Sequence, residues 1–203
     1  MVRAFLFFCL LTLVLNMQAQ EEEPYRYENT LKATATITPG IMLNQKQTDI
    51  YINGELEYFT DNKISIRGDA FWMAGAQQKP SLLKDNSAIF FGGLYHFHKN
   101  RFDYFIGLQP GVSFTKPNAT NDVYATPQSG ITVKVTTTYD YKIIPNFSPI
   151  TGITFYVSNY FNFFLNVRYV YARYYGYEGS SINLDEFRIS GGLGFQIHTT
   201  KKK

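Results

Sequence analysis

Few residues in this chain are of the types that hold metals or attack substrates: three histidines (His96, His98 and His198) and one cysteine (Cys9). His96 and His98 stand two positions apart, a spacing that puts both on one face of a strand and could offer two imidazoles to one metal ion. No third ligand follows in sequence, so the expectation is solvated strand-end histidines beside the tight turn Lys99-Asn100, with no metal held. His198 closes the last alternating run and should face the same side. Cys9 lies in an apolar N-terminal run behind Phe7 and Phe8, where a lipid-anchoring cysteine would need small residues, so neither thiol chemistry nor lipidation is expected of it. No Ser-His-acid set is visible, and no catalytic or cofactor-binding residue is assigned. Asn118-Ala119-Thr120 matches a glycosylation sequon, a pattern common by chance.

The remaining chemistry is charge. Lys32, Arg67, Arg168 and Arg188, together with Asp49, Glu55, Glu57, Asp69 and Asp103, all fall on one face of alternating segments. A single buried charge is costly, but both signs in comparable number can neutralise each other. Such a polar network either lines an ion path or locks a narrow lumen, and the lock is the stronger reading because an eight-stranded barrel is filled by its own side chains.

Several elements must position these charges. Arg3 is followed by the mostly apolar run Ala4 to Leu15 and then by Asn16, Met17, Gln18 and Ala19. That is a signal-peptide layout, too short for a helix of roughly 20 residues to span a bilayer. Residues 1–19 are read as the leader, 20–29 as an N-terminal periplasmic segment, 30–199 as a barrel and 200–203 as a basic tail. Loss of the leader leaves about 180 residues, the size of one domain, and removes Arg3, lowering the net charge from +3 to +2. No basic stripe accompanies the aromatics, so nucleic acid is not an expected partner.

After Pro24 apolar and polar residues alternate in stretches of about ten to fourteen, bounded by turn residues. In the clearest, Phe161, Phe163, Leu165, Val167, Tyr169 and Tyr171 oppose Asn162, Phe164, Asn166 and Arg168. The same rule predicts strands near 30–43, 47–60, 63–76, 87–98, 101–115, 144–157, 161–174 and 185–199. An even set can close on itself, as a bilayer requires of any sheet that crosses it. Tight turns are expected at Asp61-Asn62, Lys99-Asn100 and Ser158-Asn159, with Asn supplying left-handed backbone. On the opposite side the connections 77–86, 116–143 and 176–184 are longer, and only the one near 44–47 is short. Within 116–143, segments 122–126 and 131–141 alternate around Pro127-Gln128-Ser129-Gly130 and read as a hairpin.

The two faces differ in kind. Gly92, Gly107, Gly111, Gly152, Gly192 and Gly194 sit on the polar face among Ser, Thr and Asn, which suits a crowded lumen better than a hydrated exterior. With 16 Tyr and 18 Phe against 17% charged residues, the apolar face has aromatics to spare. Tyr58, Phe97, Phe102, Phe155, Phe161 and Phe195 should form a girdle at the turn end, and Phe114, Tyr169, Tyr171 and Phe187 another at the loop end. Pro39 and Pro110, toward the outer ends of strands, should mark thinned pairing.

Segments such as Tyr58-Phe59-Thr60-Asp61-Asn62-Lys63-Ile64 and Gly191-Gly192-Leu193-Gly194-Phe195 give the chain its likeness. It resembles the small outer-membrane β-barrel proteins of the OmpA-type transmembrane superfamily. The resemblance implies an all-β, closed, antiparallel transmembrane barrel of eight strands in the outer membrane, in contact with lipid. It departs from that pattern in running past Phe195 and Ile197 to Lys201-Lys202-Lys203, where such barrels commonly finish on an aromatic. Small barrels resembling lipid A-modifying enzymes place His, Ser and an acid near the outer leaflet, whereas these histidines fall at the other end. The expected role is therefore non-enzymatic, structural or accessory. A partner, another outer-membrane protein among the candidates, would be bound by the loop residues Val123, Tyr124, Tyr139 and Tyr141. The alternatives are a narrow channel, a lipid-modifying enzyme and a soluble lipocalin-like binder.

Overall fold

The structure, a computed structural model, describes residues 28–78, 81–118, 122–125, 133–136, 140–175 and 181–199, and of 122–125 and 133–136 the backbone alone. The expected leader, the segment up to residue 27 and the basic tail 200–203 lie outside the described residues. The elements are β1 (Thr30–Met42), β2 (Gln47–Phe59), β3 (Ile64–Ala76), β4 (Leu83–Lys99), β5 (Phe102–Pro117), β6 (Asp122–Ala125), β7 (Val133–Thr136), β8 (Lys142–Tyr156), β9 (Phe161–Val170), β10 (Arg173–Tyr175), β11 (Ser181–Asn183) and β12 (Glu186–His198). Eight of them close a barrel in the order β1-β12-β9-β8-β5-β4-β3-β2, while β6–β7 and β10–β11 are small two-stranded sheets. Every neighbouring pair in the barrel is antiparallel. Closure by β1 against β12, from Thr30↔His198 to Met42↔Glu186, leaves the barrel itself without an edge strand.

Burial alternates with the expected period. In β9 the even-numbered residues Asn162 to Arg168 are buried and the odd-numbered ones from Phe161 are not. Ile37, Ile52, Leu56, Trp72, Ile106 and Leu165 all stand outside with half or more of their surface free. A barrel whose exterior is an apolar band and whose interior holds the charges is inverted relative to a soluble protein, and its proper solvent is lipid. Aromatics cluster at both ends of the band. Phe102 packs on Phe155 at 4.9 Å and Phe161 on Phe195 at 5.7 Å at the turn end, and Tyr169 packs on Phe187 at 5.1 Å at the loop end.

Three local departures from the sequence reading have physical causes. β4 begins at Leu83 instead of near 87, through an irregular register between Leu83 and Asp85 against β5. β9 ends at Val170 instead of 174: its ladder breaks at Tyr171, which makes only an isolated bridge to Phe147, and resumes as β10. Pro145 and Pro149 on the facing strand β8 lack the N–H groups that would extend that pairing. Finally, of the three tight turns only Lys99-Asn100 uses left-handed asparagine backbone, at φ 57°. The Asp61 carboxylate instead accepts the amides of Lys63 (2.5 Å) and Ile64 (2.8 Å), and Ser158 Oγ accepts those of Tyr160 and Phe161. The prolines behave as expected: β1–β12 pairing lapses between Thr34 and Gly40 around Pro39, and β4–β5 pairing lapses opposite Pro110.

Candidate functional site

The charged residues singled out in the sequence converge inside the barrel, because period-2 alternation sends every second side chain inward and closure brings eight strands within reach of one axis. At the turn end, Lys32 Nζ lies 2.6 Å from Glu57, and Arg67 lies 3.0 Å from Glu55 and 3.2 Å from Glu57. At mid-height Arg168 pairs with Asp69 at 2.9 Å and donates to Gln109 at 2.9 Å, while Gln109 donates to Asp69 at 2.7 Å. Toward the loops Arg188 pairs with Glu186 at 2.9 Å, and Tyr51 donates to the same carboxylate. Asp49 is fully buried and accepts from Gln47 at 2.6 Å. All nine predicted lumen residues are thus buried, and Asp103 belongs with a histidine cluster at the turn end.

Two like-charge pairings test this arrangement. Arg168 and Arg188 are directly opposed across β9 and β12, as are Glu55 and Asp69 across β2 and β3. Like charges in register repel, and each member escapes by turning to a different partner. Aromatic rings insulate the two guanidiniums: Arg168 lies 4.8 Å from the Phe71 ring centroid and 4.5 Å from that of Phe90, and Arg188 lies 4.0 Å from Tyr51 and 4.7 Å from Phe71.

Sequence reasoning missed these inner aromatics. Two of them belong to adjacent pairs split by the strand period, with Phe90 inside and Phe91 outside, and Phe71 inside and Trp72 outside. It also missed Glu186, which sits at the first position of β12. At the loop end the lumen is closed by an apolar cluster that includes Met42, Phe71, Leu83, Phe90, Ile144, Tyr174 and Leu184. Room is made by glycine: a Cβ on Gly111 would lie 2.8 Å from Phe90, and one on Gly40 would lie 1.8 Å from Glu186 Oε1.

The histidine expectation is corrected. His96 is buried, not solvated, with its ring 4.6 Å from that of Phe59. Asp103 lies within 2.9 Å of His96 Nδ1 and 3.1 Å of His98 Nδ1, and Tyr156 donates to it at 3.3 Å. His198 stays at the exposed rim, bonded to Thr30.

Of the predicted loop residues, Val123 and Tyr124 lie on the β6 backbone, which pairs with β7 as the hairpin reading expected. Tyr139 lies outside the described residues. Tyr141 is exposed at the foot of the hairpin; its hydroxyl donates to Asp85 at 2.7 Å, which holds its pKa above the usual phenol value, and Lys116 sits 5.2 Å from its ring.

Closed eight-strand topology, apolar exterior, charged interior and short turns on the side of both strand termini decide the architecture. The fold is that of a small outer-membrane β-barrel. Solved structures with the same fold include Neisserial surface protein A (TM-score 0.57, 11% identity, 83% of this chain and 96% of that one). Another is Ail, the attachment invasion locus protein of Yersinia pestis (0.54, 10%, 84% and 99%). A third is the outer membrane protein OprG from Pseudomonas aeruginosa (0.57, 10%, 87% and 99%). No protein-family model matches the sequence, and no curated protein matches it.

Proposed function

We propose that this chain is a non-enzymatic resident of the bacterial outer membrane, a structural or accessory barrel that meets its partner through the loops at its outer mouth. The observation that carries the reading is the filled lumen. Buried ion pairs occupy its turn end and middle, and the apolar cluster around Met42, Leu83 and Leu184 occupies its loop end. Such an interior suits a rigid strut better than a path for solute. The surface left to recognise something else is the loop crown, where the β6–β7 pair falls between β5 and β8 in the chain and Tyr141 stands exposed. Exposed aromatics on a rigid element are common binding anchors.

The test is to replace 118–141, the segment between Pro117 and Lys142, by a short Asn-Gly hairpin. Barrel stability depends on closed pairing, and loop-closure cost varies slowly with length. The shortened chain is expected to remain a heat-modifiable barrel on gels and to lose the proteins that copurify with the full chain in mild detergent. Retention of those partners by the shortened chain, with their loss on Arg168→Gln, would refute the reading.

A further inference from the structure

His96, His98 and Asp103 meet at the turn-side mouth, with one donor atom from each lying within 4.8 Å of the others. Their placement follows from the β4–β5 hairpin. His98 is the direct cross-strand partner of Asp103, and His96 is two residues further along the same inward face.

The acceptors around each ring serve to assign the protons. Ser65 Oγ donates to Glu57 at 2.6 Å, so its lone pairs face His96 Nε2 at 2.8 Å, and Glu57 itself stands 3.1 Å from the same nitrogen. Only acceptors surround His96 Nε2, which therefore carries the proton. His98 Nε2 faces the backbone carbonyl of Asn62 and carries its proton for the same reason. In neutral imidazoles both Nδ1 atoms are then bare lone pairs, yet both point at the Asp103 carboxylate, another acceptor. Two lone pairs and a carboxylate converge only around positive charge.

Protons alone answer this poorly, because two imidazoliums would stack nearly parallel, 5.7 Å apart and 12° between planes. The nearby charge also favours a cation: carboxylates flank His96 on both sides, Glu57 at 3.1 Å and Asp103 at 2.9 Å. The outer contacts match those of metal-bound histidines, which give their second N–H to a carboxylate or backbone carbonyl. We propose that His96 Nδ1, His98 Nδ1 and Asp103 form a binding site for one divalent transition-metal ion of the zinc type. Three protein ligands leave a position for water, and His98, partly exposed at the mouth, gives the ion a way in.

The untagged barrel, refolded in detergent and stripped with chelator, is titrated with Zn2+ by calorimetry, and bound metal is counted by elemental analysis after desalting. The expected result is one tightly held ion per chain. His98→Ala and Asp103→Asn should weaken binding by more than tenfold, Ser65→Ala by about tenfold or more through the outer contact, and His198→Ala not at all. Heat modifiability and near-UV circular dichroism confirm that each variant is folded. His98→Ala removes a side chain at the mouth, so it keeps the test valid if Asp103→Asn fails to fold. Co2+ in place of Zn2+ should give visible absorption that His98→Ala abolishes. Absence of saturable one-to-one binding, or equal binding by folded wild type and His98→Ala, would overturn the proposal and leave a protonated histidine pair in its place.

Discussion

Arg168→Met is expected to be among the most damaging single changes in the lumen, and its cost can be assembled from the contacts. Among the described residues only Nη2 of Arg168 makes hydrogen bonds, to Asp69 and Gln109; Nε and Nη1 find no hydrogen-bond partner there, and the guanidinium lies against Phe71 and Phe90. Methionine keeps much of the contact with those rings, since thioether–aromatic contacts contribute about 0.3–1.5 kcal/mol. What remains is a fully buried Asp69 carboxylate with Gln109 as its only hydrogen-bond donor among the described residues. Breaking a buried pair in this way costs about 3–5 kcal/mol. Asp69→Asn alone should cost a similar amount by stranding the cation. The double variant removes both charges and keeps an amide for Gln109 to bond, so it should cost well under the sum of the two, with a coupling of at least about 2 kcal/mol. Urea unfolding from lipid vesicles measures this directly, because Trp72, the single tryptophan, is 69% exposed on the outer face and reports loss of the lipid environment. Additivity within about 0.5 kcal/mol would refute the claim that these residues form one buried unit.

The lipid face and the packing of the lumen make separate predictions. Leu165→Arg places charge on the outer face, where Leu165 is 51% exposed, and should cost on the order of 2–4 kcal/mol or abolish assembly in the same unfolding assay. Gly40→Val would drive a Cβ into Glu186 and Tyr51 and should cost about 1–3 kcal/mol, whereas Gly54→Ala, which meets nothing within 4 Å, should be close to neutral.

The barrel was legible in the sequence because its determinants are local. Alternation in Phe161 to Tyr171 or Phe102 to Phe114 needs only a period of two, and Asn100 announces its own turn. The lumen charges were legible for the same reason: a charge on the inward face of a transmembrane strand has nowhere else to go. Depth along the axis was not. His96 is close to a strand end yet buried, because Phe59 of β2 and Phe105 of β5 lean over it, and that overlap depends on barrel stagger, not on neighbours in sequence. Asp103 as the companion of both histidines could have been found by extending the Lys99-Asn100 hairpin one step, which sets His98 opposite Asp103. Glu186 escaped notice because it stands at the first position of its strand, next to Asp185, where a polar residue reads as part of the loop. The loop-end apolar cluster joins residues from at least seven separate strands and loops, a convergence no single segment displays.

The central claim is that the lumen is a filled interior, not a path. Single-channel recording of the purified barrel in planar bilayers tests it most directly. The account predicts that insertion, verified by recovery of heat-modifiable protein from the membrane, produces no unitary current steps. Reproducible steps whose ion selectivity changes when Arg67 or Arg168 is neutralised would contradict it.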